Sequence, residues 1–375
     1  MPIDNSNERL ESPIQPNHSR GELIRNASLI IWDEAPTANK AVFACVHDVC
    51  RRCTEKDEPF GDKVVLVLGD FRQTSPIIRR GSKSQIIDAS IKSSPLWIHF
   101  VISSLNIPYR NAEDLEFSKF VDQIGDGELT DVPLHMMQST TVKNDLIDFV
   151  FPPDILSNPS SCLTRSILAP TNRQVDNYNK TILDSIPEEP MLYMATDTLK
   201  EASDSNLRSP NSILDFVSRH PPPGMPPFTV EIKKNAVYRL LRNFSIDRGL
   251  VKNARVVVTD AGSRLISVRI LRHNRSNFLD EDDILIPRIT FTAILPSGHT
   301  LVRKQFPLAP SYATTFNSCQ GMTLDRVGVD LTHPVFSHGQ LYTALSRIRN
   351  RYNGIVRLPP DQFTTPNIIY HELLL

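Results

Sequence analysis

Two neighbouring carboxylates after an apolar run are the first residues whose types and spacing could do chemistry. Residues 29–32 are apolar, and Asp33 and Glu34 come directly after them. An aspartate in this place can hold Mg²⁺ through its water shell, and a glutamate can orient and activate a water molecule. The same pattern is also typical of a strand end that acidic residues simply cap. On this pair alone, nucleotide chemistry and an acidic strand end are both open.

A second apolar run has the same design. Residues 64–68 are apolar, and Gly69, Asp70 and Gln73 follow them. A glycine lets the chain turn sharply, and a glutamine can sense a phosphate oxygen or an attacking water molecule. The intervening residues 38–53 have a helical pattern, so the runs predict two parallel strands, covered by helices on both faces. Together, the two strand ends indicate nucleotide chemistry far more specifically than either does alone.

A second α/β region is predicted from about Ser166. The motif SILAPTN predicts a strand, and a helix follows over 173–183. The sheet resumes at RVGVDL and GIVRL, with the helix of GQLYTALSRIR between them. Residues 196–227 are rich in Pro, Ser and Asp, which predicts a loop or mobile insertion. The alternating β-branched segments that follow predict a small antiparallel barrel or sheet inserted in this region.

Composition narrows the classes of function. The chain has 375 residues, 40% hydrophobic and 22% charged, which predicts two or three globular domains. It has no apolar run of about eighteen residues and no apolar stretch at its start, so we expect no membrane span and a cytosolic or nuclear protein. The net charge is −1, but eleven Lys or Arg residues stand against two Asp residues between Ile232 and Ser276. This basic segment is either a solvated face or a DNA contact.

Two other kinds of site are considered and not favoured. Cys45, Cys50 and Cys53, with His47 nearby, could hold zinc, but their spacing matches no common zinc finger. We therefore favour ordinary core or surface cysteines. The pair Ser337-His338 lacks the Gly-x-Ser-x-Gly motif, so a nucleophilic hydrolase is not expected.

Seven motifs, in this order, resemble the Pif (petite integration frequency) family of DNA helicases, most closely the branch carried by Helitron-type transposons. They are IIWDEAP, PFGDKVVLVLGDFRQTSPIIRRG, FVDQIGDGEL, SILAPTN, LLRNFSIDRGLVKNARVVVTD, QGMTLDRVGVDL and PVFSHGQLYTALSRIR. The likeness covers about residues 22–356. Because several motifs recur in the family's order and spacing, the resemblance is specific.

The resemblance implies an α/β fold of two RecA-like domains, the first incomplete, with ATP between them and a small β-barrel inserted in the second. Single-stranded DNA would lie across both domains. The domains expected on this basis are a polar tail at 1–20, a partial first RecA-like domain at 21–160, a second at 161–227 and 302–375, and an inserted β-rich domain at 228–301.

The resemblance also assigns roles to residues that match the family's motifs. Asp33 matches the Mg²⁺ ligand, Glu34 the water-activating residue and Gln73 the phosphate sensor. Arg347 matches the second-domain arginine that reaches the terminal phosphate, and Arg110 the arginine that closes the first domain. The remaining expected contacts are Gly69, Asp70, Gln320 and Gly321 with the nucleotide, and Asn317, Ser318, Arg242, Lys252 and Arg255 with DNA.

The sequence departs from the family in three places. It contains no Gly-Lys dipeptide, so we expect an N-terminally truncated chain without the phosphate-binding loop. Ile107-Pro108-Tyr109-Arg110 replaces the usual Asn-Met-Arg, and Asn317-Ser318-Cys319-Gln320-Gly321 lacks the usual lysine before Gln-Gly. The first departure predicts that this polypeptide hydrolyses ATP poorly or not at all.

Three hypotheses of function remain. The leading one is an ATP- and Mg²⁺-dependent, 5′-to-3′ DNA helicase, to which the family adds DNA repair, recombination, telomere maintenance, a nuclear location and action as a monomer on single-stranded DNA or DNA junctions. The second is a non-catalytic single-stranded DNA-binding remnant of a transposon helicase. The third is an unfolded, non-functional chain, since loss of a central strand exposes strand edges.

Overall fold

The computed structural model describes residues 10–78, 80–105, 107, 109–200, 210–272 and 283–375. Residues 1–9 of the expected tail, Pro108, residues 201–209 of the expected loop and residues 273–276 of the basic segment lie outside the described residues. None of the helices within the described ranges is long and apolar enough to cross a membrane.

The first unit, residues 10–110, is built on a two-stranded parallel sheet. Its helices and strands are α1 (Ser19–Asn26), β1 (Leu29–Trp32), α2 (Lys40–Thr54), β2 (Val64–Val67) and α3 (Lys83–Ala89). The ladder pairs Leu29 with Val64 and Trp32 with Val67. The side chain of Asn39 caps the start of α2 by accepting a hydrogen bond from the amide of Ala41 at 2.8 Å.

Among the described residues, side chains cover the sheet of the first unit on one face only. Ile30, Trp32, Val65 and Val67 pack against an aromatic core around Phe43. The alternate side chains point the other way, as the pleat of a strand requires, and they are exposed. These exposed residues are Leu29, Ile31, Val64 and Leu66. The prediction of strands buried on both faces is therefore wrong for β1 and β2.

The described part of the expected polar tail is packed, not loose. Leu10 is buried. The guanidinium of Arg25, on α1, donates to the carbonyl of Pro16 at 3.3 Å and to that of Cys53, on α2, at 2.8 Å. Gly21 lies so close to the backbone of Gln15 and Pro16 that a Cβ would collide there. The prediction of a loose tail is wrong for residues 10–20.

The second unit contains a five-stranded, wholly parallel sheet. Its early elements are α4 (Leu115–Gly125), β3 (Asp131–Pro133), β4 (Gln138–Thr140), α5 (Lys143–Val150), α6 (Pro153–Leu156), β5 (Arg165–Ala169) and α7 (Asn172–Ser185). After an insert come β16 (Ala313–Thr315), β17 (Arg326–Asp330), α9 (Gln340–Leu345), β18 (Gly354–Arg357) and β19 (Thr364–Pro366). The strand order is β16-β5-β17-β18-β4, and β19 pairs with β3.

The boundary between the two units lies earlier than position 160. Strand β4 is an edge strand of the second sheet, and Leu146 and Val150 of α5 belong to the same core as β5. Because these residues complete the second sheet, residues 131–160 belong to the second unit, and the predicted boundary is wrong.

The insert, residues 191–310, is mainly antiparallel. Its elements are β6 (Met191–Met194), β7 (Thr196–Lys200), α8 (Pro210–Arg219), β8 (Thr229–Ile232), β9 (Val237–Leu240), β10 (Arg255–Ala261), β11 (Leu265–Ile270), β12 (Ile284–Pro287), β13 (Ile289–Ile294), β14 (Thr300–Gln305) and β15 (Leu308–Pro310). The sheets have the orders β12-β11-β10-β9-β15, β13-β14-β7 and β6-β8. Within residues 191–200, 210–272 and 283–310 these strands form three separate antiparallel sheets, in line with the expected small antiparallel barrel or sheet.

The predicted loop at 196–227 contributes to this insert. Strand β7 pairs with β14, and α8 packs Ile213 and Val217 into a core with Phe291. Arg303, which is fully buried, donates to both carboxylate oxygens of Asp197 at 2.8 and 2.6 Å. It also donates to two carbonyls in the segment between β7 and β8, so a single guanidinium fixes that segment. The prediction of a loop is therefore wrong for residues 196–200 and 210–219, whereas residues 220–227 are a loop.

Candidate functional site

The carboxyl ends of β1 and β2 are joined by backbone hydrogen bonds. The amide of Leu68 donates to the carbonyl of Trp32 at 2.8 Å, and the amide of Ala35 donates to the carbonyl of Leu68 at 3.0 Å. Glu34, between the two, has a left-handed backbone with φ 52°. Gly69 has φ 155°, and a Cβ there would collide with the ring of Pro36. A glycine is thus required where the second strand ends, and the two strand ends are held side by side.

The β2 loop, residues 69–75, lies against α9 of the second unit. The hydroxyl of Tyr342 donates to Asp70 Oδ2 at 2.6 Å. The amide of Thr74 donates to the hydroxyl of Thr343 at 3.2 Å. Gly339, with φ 69°, lies so near the carbonyls of Arg72 and Gln73 that a Cβ would collide with both. The loop and the helix therefore form a close, specific contact.

The side chain of Gln73 is the meeting point of two residues from the second unit. Its Oε1 accepts hydrogen bonds from Arg347 Nη2 and from Gln320 Nε2, each at 3.3 Å. Arg347 is 2% exposed, and its Nε donates to the carbonyl of Thr343 at 3.2 Å. The predicted phosphate sensor and the predicted second-domain arginine are therefore brought together.

Glu34 and Arg110 lie close enough to Arg347 for its charge to affect the pKa of each. Burial raises the pKa of Glu34; the positive charges of Arg347 and Arg110 oppose this, while the carboxylates of Asp33 and Asp70 add to it. Burial also lowers the pKa of Arg110, and the nearby Arg347 adds to this effect. Two guanidinium groups thus lie close to a carboxylate whose charged form is disfavoured. This arrangement can receive a polyanion and keep a proton acceptor beside it.

Arg110 and its neighbour also connect the units. Arg110 Nη1 donates to the carbonyl of Ser346 at 3.0 Å, one residue before Arg347. Asn111 Nδ2 donates to the carbonyl of Ile348 at 2.6 Å. The residues directly before and after Arg347 are therefore both hydrogen-bonded to this segment, which fixes the backbone from which the Arg347 side chain extends.

Asp33 is the first residue after β1. Its carboxylate is exposed, and Oδ1 accepts a hydrogen bond from the amide of Glu34 at 2.9 Å. The other oxygen is free to accept a hydrogen bond from a metal-bound water molecule. A single exposed carboxylate suits Mg²⁺, which keeps most of its water shell in such sites.

Sequence reasoning missed several residues of this site. Tyr342, Arg72 and Thr343 make contacts between the units. His338 does so as well, because its Nε2 lies 2.9 Å from the carbonyl of Phe71 while its Nδ1 accepts from a backbone amide. The available signal was position: three of the four lie on α9 or just before it, within nine residues of Arg347.

The loop that follows β16 carries the remaining predicted contacts. Asn317 Oδ1 accepts a hydrogen bond from Gln340 Nε2 at 3.0 Å. Ser318 is exposed, and its hydroxyl lies 3.0 Å from that of Thr315. Gly321 has φ 74° and open space around it. Gln340 is the first residue of α9 and is buried. The hydrogen bond from Gln340 therefore attaches this loop to the same helix that precedes Arg347.

The predicted DNA contacts of the insert divide into two groups. Arg242 and Lys252 are exposed on the segment between β9 and β10. Arg255, by contrast, is buried, and its Nη1 donates to the carbonyls of Cys162, Leu163 and Arg165 at 3.0, 2.8 and 3.3 Å. Because its guanidinium is used within the protein, the prediction that Arg255 contacts DNA is wrong.

The cysteines of the zinc alternative lie inside α2. All five cysteines of the chain are free and buried. Across the described ranges, no group of three His, Cys, Asp or Glu side chains is placed to hold a metal ion.

The sequence as a whole is similar to known helicases. The family described as "PIF1-like helicase" matches residues 1–133. The ATP-dependent DNA helicase PIF1 of Xenopus laevis is 28% identical over 326 residues, which are 86% of this chain and 45% of that relative. The human PIF1 is 27% identical over 331 residues, with 87% and 45% covered. The Pif1 of Campylobacter jejuni is 26% identical over 349 residues, with 88% and 69% covered.

The chain is thus similar to PIF1-like helicases over most of its length. It spans about half the length of the vertebrate relatives. Two solved structures share the fold. Pif1 from Bacteroides bound to ssDNA has a TM-score of 0.65 at 20% identity and covers 100% of this chain and 79% of that one. Pif1 from Candida albicans has a TM-score of 0.62 at 20% identity and covers 92% and 76%. The mixed α/β fold of two RecA-like units is thereby confirmed.

Proposed function

We propose that this chain carries the cleft of an ATP-dependent DNA helicase, with the terminal phosphates of ATP bound between the β2 loop and α9. The observation that carries the proposal is the contact of Gln73 with Arg347, beside Glu34 and Arg110. A glutamine and two arginines from different units would meet a phosphate group only while the cleft is closed. ATP hydrolysis could thereby be coupled to movement of the two units on DNA.

The residues of the site have distinct tasks in this proposal. Glu34, whose pKa is raised by burial, accepts a proton from the attacking water molecule. Gln73 orients that water molecule, and Arg347 stabilises the negative charge that develops on the transferred phosphoryl group. Mg²⁺, held through Asp33 and its water shell, would neutralise charge on the phosphate oxygens.

The sequence supplies no Gly-Lys dipeptide to cradle the phosphates. The polypeptide of these 375 residues should therefore hydrolyse ATP slowly or not at all. The family context supports further proposals, namely action as a monomer on single-stranded DNA or DNA junctions, roles in repair, recombination and telomere maintenance, origin in a Helitron-type transposon, and location in the nucleus.

The test measures phosphate release by the purified chain with and without a single-stranded oligonucleotide. Variants Glu34→Gln and Arg347→Gln remove the proposed base and the proposed phosphate contact. Arg349→Gln is the matched control, since Arg349 is half-exposed and pairs with Asp325 at 3.4 Å. Any DNA-stimulated turnover should disappear in the first two variants and persist in the control. Turnover that survives in Glu34→Gln would refute the assignment.

A non-catalytic, single-stranded DNA-binding protein is the second candidate. Exposed Arg242 and Lys252 and the missing Gly-Lys dipeptide favour it. Its binding should weaken with salt but should not respond to ATP or ADP. Titration of a labelled oligonucleotide with and without nucleotide therefore separates the two candidates.

A further inference from the structure

We propose that Tyr342 and Asp70 form a positioning pair that fixes α9 against the β2 loop and so sets the contact between Gln73 and Arg347. In this proposal Asp70 acts through Tyr342 and does not touch the nucleotide. The inference rests on the proposed function for the meaning of the Gln73–Arg347 contact, but the pairing itself is testable without nucleotide.

Both oxygens of the Asp70 carboxylate accept hydrogen bonds from donors of the protein. Tyr342 Oη donates to Oδ2 at 2.6 Å, which is shorter than either hydrogen bond to Gln73. The backbone amide and Nε of Arg72 both donate to Oδ1, at 3.0 and 3.2 Å. Three donors of the protein thus hold the carboxylate, two at Oδ1 and one at Oδ2, so its orientation is set by the protein itself.

On the side of the first unit, hydrogen bonds within one turn link Asp70 to Gln73. The amide of Gln73 donates to the carbonyl of Asp70 at 3.1 Å, and the Asp70 side chain closes the same turn by accepting from the amide of Arg72. A displacement of Asp70 therefore displaces Gln73.

On the side of the second unit, hydrogen bonds link Arg347 to the helix that carries Tyr342. Arg347 Nε donates to the carbonyl of Thr343, and Nη2 donates to the hydroxyl of Ser346 at 3.3 Å. Both acceptors lie on or directly after α9, which carries Tyr342. The guanidinium thus follows the helix, and the helix is held by the Tyr342 hydroxyl.

The surroundings keep Tyr342 a donor in a fixed place. The side chain is buried, and the guanidinium of Arg72 lies 4.8 Å from the ring centroid. Arg72 is in turn held by Asp122 Oδ1 at 2.8 Å. Burial raises the pKa of the Tyr342 hydroxyl, so it keeps its proton at neutral pH. Because this guanidinium packs against the ring, we expect the ring to stay in place when the hydroxyl is removed.

The experiment measures the distance between the two units by pulsed electron resonance. Spin labels are attached at Arg52→Cys on α2 and Asp148→Cys on α5, because both positions are exposed and all five native cysteines are buried. Tyr342→Phe removes only the hydroxyl, and Tyr352→Phe, at an exposed tyrosine, is the matched control. A hydrogen bond to a carboxylate supports roughly a tenfold change in the closed-to-open ratio. Tyr342→Phe should therefore add a population of longer distances, and Tyr352→Phe should not.

Two further variants separate positioning from general stability. Asp70→Asn keeps an oxygen that accepts the Tyr342 hydroxyl and should preserve the distance, whereas Asp70→Ala should lengthen it as Tyr342→Phe does. Unchanged distances in Tyr342→Phe and Asp70→Ala, with only a lower melting temperature, would overturn the proposal.

A parallel titration with a fluorescent ADP analogue reports on the proposed function. If the unsubstituted chain does not bind the analogue but Tyr342→Phe lengthens the distance, the proposed nucleotide site fails and the positioning pair stands. If the analogue binds and the distances do not change in Tyr342→Phe and Asp70→Ala, the proposed site stands and the positioning pair fails.

Discussion

Replacement of Arg242 and Lys252 by alanine should weaken single-stranded DNA binding in a way that depends on salt. Both side chains are exposed on the segment between β9 and β10. The guanidinium of Arg242 lies 5.5 Å from the ring centroid of Phe291, which limits its movement without covering its charge. The prediction assigns one phosphate to each residue, so we expect two fewer released counterions per bound strand in the double variant.

The magnitude follows from the number of contacts. Each phosphate contact with a single strand contributes about 0.7 to the slope of log affinity against log salt concentration. Loss of two contacts should therefore reduce the slope by about 1.4. Between about 50 and 200 mM salt, the affinity of the double variant should then fall roughly sevenfold less than that of the parent.

Fluorescence anisotropy of a labelled oligonucleotide at several salt concentrations measures the slope. Arg255→Met is the control, because Arg255 is buried and its guanidinium contacts backbone carbonyls. This control should leave the slope unchanged while lowering the free energy of unfolding by about 2–4 kcal/mol, the cost of leaving buried acceptors without donors. A slope equal to the parent's in the double variant, or a reduced slope in Arg255→Met, would show that DNA does not follow this surface.

Three further predictions concern stability and contact between the units. Burial lowers the pKa of His338 from 6.5, so the folded chain binds a proton at this side chain less readily than the unfolded chain does. The urea midpoint of unfolding should therefore fall as the pH drops below about 6.5. In His338→Asn this fall should be smaller. Asp197→Ala leaves buried Arg303 without its carboxylate and should cost about 3–5 kcal/mol in denaturant titrations, with faster hydrogen exchange in β7 if the pair holds that strand. Gly339→Ala places a Cβ against the carbonyl of Arg72 and should separate the two units in the same spin-label measurement, whereas an unchanged distance would show that the contact yields elsewhere.

The polar ends of β1 and β2 could be predicted from the sequence because the signal is local. Apolar runs followed by Asp33, Glu34 and Gln73 mark strand ends without knowledge of the rest of the fold. The roles assigned to these residues stay predictions. What the runs could not show is that one face of each strand is exposed. A continuous apolar run has the same letters whether one or two layers of helices cover it.

The contacts between the two units could not be predicted from local sequence patterns. Tyr342 and Asp70 are 272 residues apart, and no periodicity links two such positions. The burial of the Arg255 side chain could not be predicted from the sequence either. Basic residues of the insert look alike in sequence, and only the register of β10 against β9 shows which of them points inward. The strand β7 and the helix α8 within the loop predicted at 196–227 were missed for a related reason, because both are held by partners far along the chain, including Arg303.

The uncovered face of β1 and β2 has a practical consequence for anyone who handles the protein. Ile31 and Val64 are 59% and 66% exposed and are paired with other apolar side chains on the same side of the ladder. An exposed apolar surface of this kind binds dyes such as anilinonaphthalene sulfonate. Bright dye fluorescence at neutral pH would therefore not show that the protein is a molten globule. It also favours self-association at high protein concentration and early precipitation in ammonium sulfate, which argues for low salt and dilute stocks during purification.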